Sequence, residues 1–202
     1  MGSLAEMPHG TSPDLALAHP TQEEKLIQFK LNGAEWRGAL SQEAYLRREE
    51  VLSQQALTKD GGISYWILID TSAKSNPLDP TSSTRLPLAS CESYRKKALV
   101  WRDGKVQETV SHGIGSVFCA PHLRGKKYAQ RMMQELGEAL RTYQTSEKEC
   151  LFTVLFSDIG KVGQSGSTRE RHTDRNRNST QTLGGNHSPH HMCLFRQESR
   201  SW

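Results

Sequence analysis

Residues 119 to 136 read "CAPHLRGKKYAQRMMQEL", and no other stretch restricts the fold as much. A strand, "HGIGSVFCAP", closes at Pro121, and "RGKKYA" follows as a short basic loop. From Tyr128 onward the apolar positions fall at 129, 132, 133, 136, 140 and 143. That spacing traces one face of an α-helix of about 3.6 residues per turn. Such a helix opens with backbone N–H groups that lack intrahelical partners and carry about half a positive charge. A loop that turns those groups inward holds an anion such as pyrophosphate, and Arg124, Lys126 and Lys127 add cationic charge around it. The same residues also fit a solvated basic turn, so the loop by itself leaves both readings open.

The chain on either side supplies strands and helices in alternation. Leu15 to Ala18 is a short apolar run, and Thr21 followed by Glu24 is a capping box that starts a helix. Leu26, Ile27, Phe29 and Leu31 give that helix its apolar surface, and Asn32-Gly33 is expected to end it. A second helix is expected from Ser41 to Leu57. After the turn "KDGG", the β-branched and aromatic residues of "ISYWILID" argue for a strand. Residues 71 to 90 are rich in Ser, Thr and Pro and read as a long loop. "KALVWRDGKVQETV" is a hairpin signal, with Asp103-Gly104 as its turn. "CLFTVLF" is a near-continuous apolar run, as in a strand buried on both faces. The pattern is mixed α/β.

Beyond Lys161 the periodicity stops. Residues 162–202 hold few apolar side chains and carry six Arg against three acidic residues, so most of the net +4 charge lies there. A segment of that composition buries too little surface to offset its ordering entropy. The expected organisation is a flexible amino terminus over 1–13, one domain over 14–161 and a disordered basic tail over 162–202. The tail lacks interleaved aromatics, and nucleic acid is not an expected partner. Its His187, His190, His191 and Cys193 are read as fortuitous, so no metal is expected. No apolar run is long enough to span a bilayer. The amino terminus has neither the basic start nor the apolar core of a secretory signal, and Glu6 stands where a myristoylation motif needs Ser or Thr. Cys91, Cys119, Cys150 and Cys193 are scattered, which argues for reduced thiols in a cytoplasmic protein.

The stretch "SVFCAPHLRGKKYAQRMMQELGEAL" resembles the acetyl-CoA motif of the Gcn5-related N-acetyltransferases, which most often reads Arg-Gly-x-Gly-Tyr-Ala. Arg124, Gly125, Tyr128 and Ala129 match it. "NGAEWRGALSQEAYLRREEVL", "KDGGISYWILID", "SCESYRKKALV", "HGIGSVFCAP" and "LFSDIGK" are similar to one branch, the fungal N6-acetyltransferases of free lysine. The resemblance covers residues 14–161. It implies a mixed central sheet flanked by helices, acetyl-CoA as cosubstrate without a metal, and a small amine, free lysine, as acceptor. It further implies that backbone groups of Val117, Phe118 and Cys119 meet the pantetheine arm where two strands splay. The main-chain N–H groups of Arg124, Gly125, Lys126, Lys127, Tyr128 and Ala129 would hold the pyrophosphate. Attack by the amine on the thioester is direct, so no cysteine nucleophile is implied. An ε-amine, with a solution pKa of about 10.4, needs a base before it attacks. His112 and Asp158 are the candidates, with Glu92 further off.

Two departures from the family pattern stand out. Lys127 occupies the place of the motif's second glycine, which predicts weaker coenzyme binding if that residue needs a positive φ. After "SDIGK" the family continues with a helix, often bearing a tyrosine acid, and further strands; here the polar tail begins. The domain therefore reads as truncated at its C-terminal side, as a retained intron or a frameshift near Val162 would leave it. The "CLFTVLF" strand is then expected to lack a neighbour on one edge, with marginal stability and association as the consequence.

Overall fold

The computed structural model describes residues 7–145, 148–157 and 191–196; residues 156, 157 and 191–196 are described by backbone only. One six-stranded sheet carries the strands in sequence order. They are β1 (Leu15–Ala18), β2 (Ile63–Asp70), β3 (Ala89–Arg102), β4 (Lys105–Phe118), β5 (Cys150–Ser157) and β6 (His191–Arg196). Every neighbouring pair is antiparallel except β4 and β5, which run parallel. Helices α1 (Gln22–Trp36) and α2 (Gln42–Ser53) separate β1 from β2, and α3 (Tyr128–Ala139) separates β4 from β5. The sheet is thus mixed, as expected from the sequence.

Its two faces differ. On one, α3 and its C-cap bury Met132, Leu136 and Leu140 against Trp66, Leu68, Cys91, Ile114 and Leu155 in a continuous apolar core. Each such side chain contributes about 1.5–3 kcal/mol by leaving water. On the other, Phe29 of α1 meets the Tyr65 ring edge-on at 5.5 Å, and Trp36 meets Phe118 at 5.6 Å. Strand alternation puts Tyr65, Glu92 and Tyr94 on this second side, because Tyr65 pairs with Glu92 across β2 and β3.

Several elements form as the local sequence dictates. Thr21 Oγ1 accepts from Glu24 N at 3.2 Å while Thr21 N donates to Glu24 Oε2 at 2.8 Å, which completes the capping box. Asp103 and Gly104 adopt φ of 53° and 73° in the tight turn between β3 and β4. β2 spans "ISYWILID".

Other expectations need correction. Asn32-Gly33 does not end α1, which runs to Trp36. Gly33 serves a crossing instead: a Cβ there would stand 3.1 Å from Tyr45 Cδ1, so its bare backbone admits the α2 tyrosine. α2 stops at Ser53, short of Leu57. "HGIGSVFCAP" is no separate strand but the second half of β4. The amino terminus is not free from residue 7 on: Met7 is buried in the core under α3. The tail, expected to be disordered throughout 162–202, contributes β6, which pairs with β5 from Phe152↔Arg196 to Ser157↔His191. The edge of "CLFTVLF" therefore has a neighbour, and the argument for association from that edge falls. Asp158, His187 and His190 lie outside the described residues, as do the side chains of His191 and Cys193.

The long loop between β2 and β3 is fastened by one carboxylate. Arg85 forks onto Glu24, Nε to Oε1 at 2.8 Å and Nη2 to Oε2 at 2.7 Å, and Arg85 N adds a third bond at 2.9 Å. The Arg85 side-chain bond, outweighing burial, lowers the Glu24 pKa from 4.5 to about 2. A lowered carboxylate value stabilises the fold above the unfolded pKa, and that contribution disappears as pH falls from 4.5 towards about 2. Because Arg85 is partly exposed, Glu24→Gln is expected to cost about 2 kcal/mol at pH 7 rather than the full linkage value. Urea unfolding at pH 7 and pH 3 checks this: the variant should lose less stability than the native chain between the two.

Candidate functional site

The site is built around the point where β4 loses one neighbour. Its parallel pairing with β5 ends at Ile114↔Leu155, whereas β4 itself continues to Phe118. On the other edge, pairing with β3 shifts between Glu92↔Gly115 and Ser90↔Phe118. Two residues of β4, Ser116 and Val117, thus face one of β3, Cys91, a β-bulge, and Ser116 takes a left-handed φ of 51° there. Beyond Ile114, β4 has no β5 partner among the described residues. Its backbone groups on that side are open to an added strand-like ligand. Val117 in this segment is half-buried against the core, and Phe118 is buried beneath Trp36. Their side chains are structural, and only their main chain is open to a ligand.

α3 connects parallel strands, so it must begin beside the carboxyl end of β4 and run back along the sheet. Its start is therefore next to the gap. The chain leaves β4 through a single turn of 3-10 helix, Pro121–Leu123, and reaches α3 through the basic loop. Arg131 N donates to Lys127 O at 3.0 Å as the first helical bond, so the amides of Tyr128, Ala129 and Gln130 precede it. Lys127 is the N-cap residue and makes no side-chain cap bond that would occupy them.

Lys127 adopts φ 64° and ψ 22°, the left-handed conformation. The position at which the motif has glycine thus needs a positive φ, and a lysine there costs about 1–3 kcal/mol of backbone strain. Gly125, at φ 87°, is the loop's other left-handed residue. Arg124, Gly125 and Lys127 are exposed, Lys126 and Ala129 are half-buried, and Tyr128 is buried. Arg124 Nε donates to Cys119 O at 3.0 Å and its Nη2 to Glu35 Oε1 at 3.3 Å, which ties the loop to the strand end and to α1. Lys126 Nζ donates to Met7 O at 2.9 Å and the Tyr128 hydroxyl to Pro8 O at 2.6 Å. Cys119 Sγ donates to Leu88 O at 3.3 Å, and burial pushes its pKa up, so it stays a thiol.

The titratable candidates separate by face. His112 has no exposed surface and faces the α3 side, with Nε2 3.1 Å from Tyr143 O. Its Nδ1 has no partner among the described residues, and burial lowers its pKa. Glu92 stands on the opposite face at the bulge. The Tyr94 hydroxyl donates to its Oε2 at 2.6 Å and the Ser116 hydroxyl to the same oxygen at 2.7 Å. Oε1 receives no hydrogen bond from a described residue. Burial raises the Glu92 pKa, its two hydrogen bonds lower it, and the Glu49 charge raises it, with a net upward shift. Gly113 and Gly115 lie on the Glu92 side of β4, where a Cβ at residue 115 would stand 3.1 Å from Tyr94 Cε2. The alternating glycines of "HGIGS" were the available signal for this carboxylate, since they strip side chains from the face it occupies.

No family model matches the chain. A lysine acetyltransferase of Yarrowia lipolytica is 29% identical over 154 residues, a match that takes in 66% of this chain and 36% of that protein. The chain thus spans about a third of the length of the relative it matches. Among solved structures, a probable N-acyltransferase of Enterococcus faecalis is similar at TM-score 0.45 and 16% identity, over 71% of this chain and 29% of that one. Arabidopsis thaliana NAA60 in complex with acetyl-CoA is similar at TM-score 0.45 and 11% identity, over 70% and 74%. A Trypanosoma brucei acetyltransferase is similar at TM-score 0.44 and 15% identity, over 81% and 100%. The sequence match makes the chain similar to the Yarrowia lysine acetyltransferase over those 154 residues. Among the described residues no helix is long and apolar enough to cross a membrane.

The position of His112 has a measurable consequence. A histidine whose folded pKa is lowered contributes fully above its unfolded value, and the contribution is lost as pH falls below about 6.5. His112→Gln retains a nitrogen that can reach Tyr143 O but does not titrate. The loss of stability between pH 7.5 and pH 5.5, measured by urea unfolding, is expected to be smaller in the variant than in the native chain.

Proposed function

We propose that the chain transfers an acetyl group from acetyl-CoA to a primary amine. One observation carries the reading above the others: β4 loses its β5 partner after Ile114, beside a bulge and beside the open start of α3. First-turn amides without intrahelical partners suit a pyrophosphate, and a strand edge without a described neighbour suits the amide-bearing pantetheine arm, so the residues present fit the coenzyme. When bound, it supplies an acetyl thioester. The protein's part is to hold the phosphates on the amides of residues 124 to 129 and the arm along residues 117 to 119. Lysine is the acceptor put first, after the name of the Yarrowia relative.

Glu92 is assigned as the base. A carboxylate kept above its usual pKa range by burial takes a proton from an incoming ammonium more readily than a solvated one. Tyr94 and Ser116 hold Oε2 and leave Oε1 to the amine. The deprotonated amine then attacks the thioester carbon directly, and the CoA thiolate departs. His112, on the other face, takes no part in this step.

The test pairs calorimetric titration of acetyl-CoA with a lysine acetylation assay on the full chain. The native protein should bind and turn over. Glu92→Gln should keep its coenzyme affinity but lose about a hundredfold or more in kcat, within the usual range for a general base. The acidic limb of the native pH profile, where activity falls as Glu92 becomes protonated, should vanish in the variant. Unchanged kcat in Glu92→Gln removes the base assignment. Absence of acetyl-CoA binding removes the transferase reading, and binding without turnover leaves a coenzyme-binding module.

A further inference from the structure

The segment that leads into β1 lies against the loop before α3. Gly10 N donates to Lys126 O at 2.7 Å, Lys126 Nζ to Met7 O at 2.9 Å and the Tyr128 hydroxyl to Pro8 O at 2.6 Å. These bonds bracket Lys127 on both sides along the chain. The fit leaves no slack: a Cβ on Gly10 would stand 2.7 Å from the carbonyl oxygens of both Lys126 and Lys127. Those are backbone atoms, so no rotamer change relieves the contact. The segment is anchored at both ends, by Met7 in the core and by the bond from Arg131 Nη2 to Leu15 O at 3.2 Å.

Peptide planarity turns these contacts into a direction. The Lys126 carbonyl and the Lys127 N–H belong to one trans peptide plane and point opposite ways. With Lys126 O fixed towards Gly10, the Lys127 N–H is aimed away from the segment. We infer that Met7–Gly10 is a positioning strap for the phosphate loop, holding Lys127 in the conformation that glycine would reach unaided. The strap does from outside the motif what the motif's missing glycine does by backbone freedom. Gly10 is its positioning residue, acting through Lys127 and touching no ligand. The inference rests on the proposed reading of this loop as the coenzyme site.

Hydrogen exchange of the coenzyme-free full chain tests the strap separately from that reading. Gly10→Ala should speed exchange at the amides of residues 125 to 130 by about tenfold and weaken acetyl-CoA binding by a similar factor, as expected for loss of one or two hydrogen bonds. Exchange in β2 and β3 should not change. Adding Lys127→Gly removes the need for the clamp, so the effect of Gly10→Ala should shrink to about threefold or less in that background. Tyr128→Phe, which deletes the bond to Pro8 without adding volume, should act in the same direction and gives the same readout if Gly10→Ala does not fold. The inference is overturned if loop exchange is unaltered, if the acceleration spreads through the sheet, or if Lys127→Gly leaves the Gly10→Ala effect at full size. Should the exchange results hold while no variant binds acetyl-CoA, the strap stands and the coenzyme reading fails.

Discussion

A strand that, among the described residues, is paired on both edges only from Val110 to Ile114 and on one edge elsewhere organises this molecule. β4 is gripped by β3 and β5 from Val110 to Ile114, then bulges at Ser116 and continues to Phe118 without β5. Backbone groups inside a sheet are normally satisfied by their neighbours, so this open edge is where a second chain-like molecule has something to bond. The parallel relation of β4 and β5 then forces α3 to start at the same place. A polar edge and a helix start are brought together by topology, with no single residue responsible.

The two faces of the sheet divide the remaining work. Under α3 the core is apolar and closed, and burial on that side lowers the pKa of His112. Under α1 and α2 the face is lined with Tyr45, Tyr65, Glu92 and Tyr94, and its carboxylate is buried at the bulge with one oxygen held by two hydroxyls and the other given no hydrogen bond by a described residue. Period-two alternation puts adjacent residues of β4 on opposite faces. The buried histidine and the bare glycine beside it consequently belong to different environments although they are neighbours in sequence.

Local signals were legible in the sequence and long-range ones were not. The capping box at Thr21, the Asp103-Gly104 turn, the β2 strand and the start of α3 at Tyr128 each depend on interactions within a few residues. Gly33 misled because a glycine that usually stops a helix here makes room for a tyrosine from another helix. β6 was invisible because six residues of modest apolar character become a strand only when an edge such as that of β5 is offered. The amino-terminal strap was missed for a similar reason: its bonds join residues more than a hundred positions apart in the chain.

The sequence by itself determined the helix starts, the hairpin turn and the basic glycine-containing loop, and with these the resemblance to N-acetyltransferases, because caps, turns and motifs are written in contiguous residues. Only the tertiary structure decided which face each titratable group occupies, that β5 has a neighbour on both edges, and that the lysine in place of a glycine is braced by a distant strap. Those outcomes depend on sheet register and on packing between segments remote in sequence, and neither leaves a mark in any short window of residues.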